Sequence, residues 1–120
     1  MWLKIAALMG ALAVALGAFG AHGLKDALES GGLMPIWETA AKYHLIHAVL
    51  LVVLALSTIE TTWPSRLICV GIVIFSGSLY LMCGIYAWTG VKYGILGAIT
   101  PIGGLCLIAG WISLLFVKWA

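Results

Sequence analysis

The sequence predicts an all-α membrane protein, a bundle of four transmembrane helices with a short amphipathic segment between the first two. Three observations carry this expectation. The 120 residues are 64% hydrophobic and 8% charged, with a mean hydropathy of +1.19, whereas soluble domains are about 45–50% apolar. The apolar residues fall in four long runs, and a helix of about 20 such residues crosses the roughly 30 Å of hydrocarbon in a bilayer. No segment shows the ~10-residue alternation of a transmembrane β-strand. The length suits one domain, residues 1–120.

The first span runs from about Leu3 to Ala21. Within it Ala6, Gly10, Ala13, Gly17 and Gly20 recur at four- and three-residue steps and form one stripe of small side chains. Lipid gives helices no hydrophobic reason to associate, so they meet through close packing, which small residues permit. The stripe is therefore a helix–helix interface, and its partner is another span or, in a homo-oligomer, a second copy of the chain. Lys4 and the apolar run ending in Ala18-Phe19-Gly20 also have the form of a signal peptide with a small-residue cleavage site. The packing stripe favours a retained span, because a discarded leader has no need of one.

Residues 22–39 form the one sizeable polar stretch. Leu24 to Glu29 suit a turn or two of amphipathic helix on the membrane surface, ended by Gly31-Gly32. Pro35 suits the first turn of the next helix, where Glu38 and Lys42 stand four apart in the favourable order. The second span is read as about Ala41–Ile59 and the third as about Leu67–Trp88, with Trp63 and Pro64 in the connecting turn. The fourth has two readings. It runs from Ile95 with a kink at Pro101, or Thr100 caps a helix over 101–119 that begins at Pro101 and spans roughly 28 Å. The second is preferred because it accounts for Thr-Pro, and it leaves 89–100 as a buried apolar loop. Gly77, Gly103 and Gly104 are further candidate packing positions.

Five of the six tryptophans fit interfacial belts, with Trp2, Trp63 and Trp119 at one face and Trp37 and Trp88 at the other. Lys4, Arg66 and Lys118 on the terminal side balance Lys25, Lys42 and Lys92 opposite, so charge sets no orientation. The expected location is multi-pass in the bacterial cytoplasmic (inner) membrane, with the lipid bilayer as the principal partner.

Several function classes lose support at this point. A net charge of +2 without a basic run speaks against nucleic-acid binding. Cys69, Cys83 and Cys106 form no Cys-x-x-Cys pair and read as small buried apolar side chains. No hydrolase elbow, phosphate loop or zinc-protease motif occurs, so no catalytic residue is assigned and no enzyme is expected.

Chemistry, if any, belongs where polar groups meet the membrane. All three histidines fall between residues 22 and 47. With hydrocarbon beginning at Ala41, His47 lies roughly 9 Å inside it, and ionisable residues at such depth are functional candidates. His44 is one turn earlier, His22 ends the first span at the same membrane face, and Tyr43 is in position to hydrogen-bond a histidine. Ser78, Tyr80 and Thr100 approach from the third and fourth spans, so His22, Tyr43, His44, His47, Ser78, Tyr80 and Thr100 define a candidate polar pocket. The plainer reading of Ser76-Gly77-Ser78 is close helix packing with hydroxyls bonded back to their own helix. Imidazole suits Zn, Cu and Fe, but His-x-x-His lacks a carboxylate or thiolate beside it, and no metal, haem or other cofactor is expected. The four-helix length also invites comparison with the small multidrug-resistance exporters, which work around a membrane-embedded Glu. Here Asp26, Glu29, Glu38 and Glu60 all lie in loops or at span ends, which leaves His47 as the group able to titrate in its place.

Several of these segments resemble one family. They are Gly17 to Lys25, Trp37 to His44 with His47-Ala48, Phe75 to Leu81, and Ile99 to Leu105 followed by Gly110-Trp111. Together they are similar to the family called domain of unknown function 423, which also takes in transmembrane protein 256 of animals. The resemblance covers nearly the whole chain and is weakest over Met82–Tyr93. It implies a small four-helix integral membrane protein and no established substrate, cofactor or catalytic residue. The leading expectation is a structural or membrane-associated accessory protein that acts through helix packing. The alternative is a small transporter or channel with its pocket around His47.

Overall fold

Four helices long and apolar enough to cross a membrane account for most of the chain. The computed structural model describes residues 1–118. Its elements are α1 (Trp2–Ala21), α2 (Lys25–Ser30), α3 (Met34–Leu56), α4 (Thr62–Thr89) and α5 (Gly94–Ser113), followed by a 3₁₀ turn at Leu114–Phe116. Trp119, the expected end of the fourth span and a member of one belt, lies outside the described residues.

Local chemistry explains most of the boundaries. Leu28 is wholly buried beneath α2, packed with Leu33, Trp37 and Cys83. Gly31 ends that helix and Gly32 turns the chain at φ 68°, a conformation that costs glycine little. Pro35 sits in the first turn of α3, where its missing N–H leaves no bond unmade. The same holds for Pro64, because α4 starts at Thr62 and takes Trp63 and Pro64 into its first turn rather than leaving them in a connection. The Thr62 N–H donates to Glu60 Oε1 at 2.8 Å. Those hydrogen bonds from Thr62 hold the Glu60 carboxyl below the usual carboxylate range. At its other end α4 stops at Gly90, φ 74°, the left-handed cap that glycine favours.

The preferred reading of the fourth span is corrected. The helix begins at Gly94 and carries Pro101 inside it, so Thr100 is no cap and 94–100 is not a loop. Proline removes a single backbone donor, the one that would reach the residue-97 carbonyl. Membrane helices absorb such a gap where side-chain hydroxyls bind the freed turn. Thr100 Oγ1 donates to the Leu96 carbonyl at 3.2 Å in that same turn.

The close backbone seams run α1–α3, α3–α4 and α4–α5. The chain thus forms two antiparallel hairpins, α1/α3 and α4/α5, joined through α3 and α4. On α1 the buried stripe residues are Ala6, Ala13 and Gly20. A Cβ on Gly20 would overlap the Trp37 indole, and one on Gly17 would stand 3.8 Å from the Ala41 Cβ. The stripe is therefore taken up by α3 of the same chain. Gly10 and Gly77 do not pack as expected, since a Cβ on either would meet no atom within 4 Å. The α4–α5 seam is tighter. A Cβ on Gly103 would run into the Phe75 backbone, while one on Gly104 would stand 3.7 Å from the Phe75 ring. Gly71 against Leu107 and Gly110 against Ile68 extend the same seam, since a Cβ added to either would stand only 2.6 Å from that neighbour's side chain. Above it Ala6, Leu51, Leu54, Ile68, Ile72 and Leu107 form a core shared by all four long helices.

Trp63 and Trp88 are 68% and 91% exposed, as residues of a belt would be, but Trp37 is only 4% exposed. Gly20 makes room for its ring, and its Nε1 donates to the Leu16 carbonyl of α1 at 2.9 Å. Trp37 is a packing residue, because an indole whose N–H finds a partner inside the protein gains more by burial than at the interface.

The seams lead to a first prediction. Gly103→Leu must displace backbone rather than a flexible side chain, so it should destabilise the protein by about 3 kcal/mol or prevent folding. Gly10→Ala should leave stability unchanged or raise it by up to about 1 kcal/mol. Thermal unfolding of detergent-solubilised protein, followed by circular dichroism, measures both.

Candidate functional site

The buried face of α3 reads Trp37, Ala40, His44, His47, Ala48, Leu51 and Leu54. The steps of three and four are those of a helix seam. Both histidines therefore occupy core positions, 4% and 5% exposed, near the middle of α3 rather than at a rim.

Their hydrogen bonds differ in kind. His47 Nδ1 is 2.7 Å from the Tyr43 carbonyl, one turn back in α3. A carbonyl only accepts, so Nδ1 carries the proton. His47 Nε2 accepts from the Trp111 indole N–H of α5 at 3.0 Å, and indole only donates. The two partners leave one consistent state, the neutral Nδ1–H tautomer with both nitrogens engaged. The rings meet edge-on, with centroids 6.0 Å apart. His44 is only half satisfied. Its Nδ1 pairs with the Tyr80 hydroxyl of α4 at 3.0 Å, while its buried Nε2 has no hydrogen-bond partner.

Two hydroxyl contacts complete the cluster. Ser76 Oγ donates across to the Ala40 carbonyl of α3 at 2.8 Å, so it is not bonded back to its own helix. With the Thr100 proton given to the Leu96 carbonyl, Ser78 Oγ donates to Thr100 Oγ1 of α5 at 2.6 Å, and the Phe75 carbonyl, 2.9 Å away, is the alternative acceptor for that same proton. With the Trp37–Leu16 bond, every seam of the bundle carries at least one interhelical hydrogen bond.

The candidate pocket thus divides. The polar layer consists of separate pairs: His44 with Tyr80 across α3 and α4, Ser78 with Thr100 across α4 and α5, and His47 with Trp111, which lies about 16 Å along α5 from Thr100. Tyr43 contributes its backbone carbonyl, while its ring is 43% exposed and stacked beside His47, with centroids 6.1 Å apart. His22 stands apart, exposed at the C-terminal end of α1. Trp111 was not among the sequence candidates. Its signal was that it fitted neither belt, and a tryptophan away from both interfaces needs a partner for its N–H.

Chemically the layer offers little that is free. The Nε2 of His44 is the one imidazole nitrogen of the layer left for a ligand. Among the described residues no three His, Cys, Asp or Glu side chains converge where they could hold a metal ion. Asp26, Glu29, Glu38 and Glu60 are all exposed, so no carboxylate joins the histidines.

Residues 16–104 match the family described as "Protein of unknown function (DUF423)". The chain is 47% identical to a UPF0382 membrane protein of Staphylococcus epidermidis, covering 93% of each chain. It is 42% identical to a UPF0382 membrane protein of Bacillus subtilis, over 93% of this chain and 94% of that one. A UPF0382 membrane protein of Schizosaccharomyces pombe is 35% identical, over 93% of this chain and 96% of its own length. No solved structure matches the chain.

The His47 geometry yields a second prediction. Trp111→Phe keeps an aromatic ring on α5 but removes the donor, leaving a buried Nε2 unpaired at a cost of about 1–2 kcal/mol. A double-mutant cycle pairing it with His47→Leu should return a positive coupling energy of about 0.6–2 kcal/mol in detergent unfolding.

Proposed function

The chain belongs to the DUF423 family of membrane proteins, and on that premise we propose that this multi-pass membrane protein has a non-catalytic, structural role exercised through its helix packing. The observation that supports this reading is the use of the buried polar groups. Intramembrane polar residues that move protons or ions face water or a titratable partner. Here His47 has both nitrogens occupied by partners of fixed polarity, and Ser76, Ser78 and Thr100 join helices. The residues that looked like a site serve as ties between helices. Such ties are expected in a protein whose contribution to the membrane is a stable shape.

A transport reading draws on one observation, the buried and unpaired Nε2 of His44, which with Tyr80 forms a short chain of exchangeable protons. One assay separates the two. In proteoliposomes loaded with a pH-sensitive dye, the structural reading expects proton flux equal to protein-free vesicles for wild type, His44→Gln and His47→Ala alike. The histidine variants should differ from wild type only in a lower unfolding midpoint. A pH-dependent flux in wild type that His44→Gln or His47→Ala abolishes, with the protein still folded, would sink the structural reading.

A further inference from the structure

We propose that the groove between α1 and α4 is a binding site for one acyl chain of a membrane phospholipid. The groove has a volume of about 760 Å³, within the ~300–1,000 Å³ range of small-molecule sites. It exists because α1 rests on α3 and shares no close seam with α4. Its walls are Leu16, Phe19, Trp37, Tyr80, Leu81 and Trp88, with Gly77 and Gly84 on its floor.

The two glycines carry the inference. Gly in a helix interior costs up to about 1 kcal/mol relative to Ala, and in membrane helices it is normally offset by close approach of a neighbouring helix. Gly71, Gly103 and Gly110 have such a neighbour, but a Cβ on Gly77 or Gly84 would meet no protein atom within 4 Å. The pair stands seven residues apart on one face of α4, with Tyr80 between them, and both line the groove. Bare backbone there admits something other than this chain's own helices.

Length and position identify the occupant. From Gly77 to Thr89 the groove follows α4 for about 18 Å, close to the ~15 Å of hydrocarbon in one leaflet. It begins near the middle of α4 and opens at Trp88, which is 91% exposed at the helix end, where indole rings sit among headgroups. A helix from a second copy would need a seam through both leaflets, whereas an acyl chain anchored by its headgroup at Trp88 needs one. The wall is almost wholly apolar, and its aromatic members Trp37 and Tyr80 hold one another edge-on with centroids 4.9 Å apart. They present a rigid surface to the chain, so less freedom is lost on binding.

The test uses full-length protein reconstituted in nanodiscs of palmitoyl-oleoyl phosphatidylcholine and released into the gas phase for native mass spectrometry. Wild type should keep one phospholipid per chain under activation that strips the remainder. Gly77→Leu/Gly84→Leu projects two side chains into the groove from positions where the added Cβ meets no protein atom within 4 Å, and it should lower the retained fraction about tenfold. Ile108→Phe, on the outward face of α5 where Ile108 is 56% exposed, should leave retention unchanged. A phosphatidylcholine with a diazirine on its acyl chain gives an independent readout on wild-type protein. It should label Trp37, which is too buried for bulk lipid to reach, as well as Tyr80. Wild type without a retained lipid, equal retention in the filled variant, absence of label on Trp37, or a lipid-free dimer that the double variant disperses would each overturn the proposal.

Discussion

The bundle depends on α3 and on the absence of a hydrophobic force between helices in lipid. In water a core assembles because apolar surface leaves the solvent, but lipid tails are as apolar as leucine. Cohesion must come from close contact and from polar groups that find partners only in the correct arrangement. α3 is the element that supplies these partners in three directions: Trp37 towards α1, His44 and the Ala40 carbonyl towards α4, and His47 towards α5. Each such bond contributes modestly, about 0.6 kcal/mol on average in membrane proteins. Their value lies in geometry, since each one is lost if α3 slides or rotates against its neighbours.

The two hairpins solve the packing problem differently. α4 and α5 meet at backbone distance through Gly71, Gly103 and Gly110, which raises the number of dispersion contacts along the seam. α1 meets α3 through a sparser stripe whose tightest point is the Gly20–Trp37 fit. α1 also lies away from α4, and this opens the groove on the lipid side. A cluster that resembles an active site by composition and a cavity that resembles one by shape therefore lie side by side, with Tyr80 belonging to both.

Much of the histidine layer was legible from spacing. His44, His47, Ser78, Tyr80 and Thr100 could be placed on helices and assigned a depth by counting residues, and in the structure His44 meets Tyr80 and Ser78 meets Thr100, while His47 pairs with Trp111. His22 was misplaced because proximity in sequence was read as proximity in space, and the end of α1 turns that residue outward. Trp111 was missed because nothing local to α5 announces that its N–H meets a ring 64 residues away. Pro101 misled for a related reason. In isolation Thr-Pro is a sound helix start, but in α5 the proline is accommodated by Thr100, and Thr100 in turn is held by Ser78 of α4.

What the chain's own pattern determined was the class of fold: the four spans, the surface helix closed by Gly31-Gly32, and the small-residue face of α1. These follow from composition and periodicity, because a bilayer requires every backbone polar group to be satisfied within its own segment. Tertiary structure alone decided which partner each face took. It turned the α1 stripe inward to α3, made Trp37 a packing residue rather than a belt, and left Gly77 and Gly84 facing open space. It also fixed the tautomer of His47. Partner choice depends on how side chains from distant spans interlock, and in lipid that interlocking, rather than apolarity, distinguishes one helix arrangement from another.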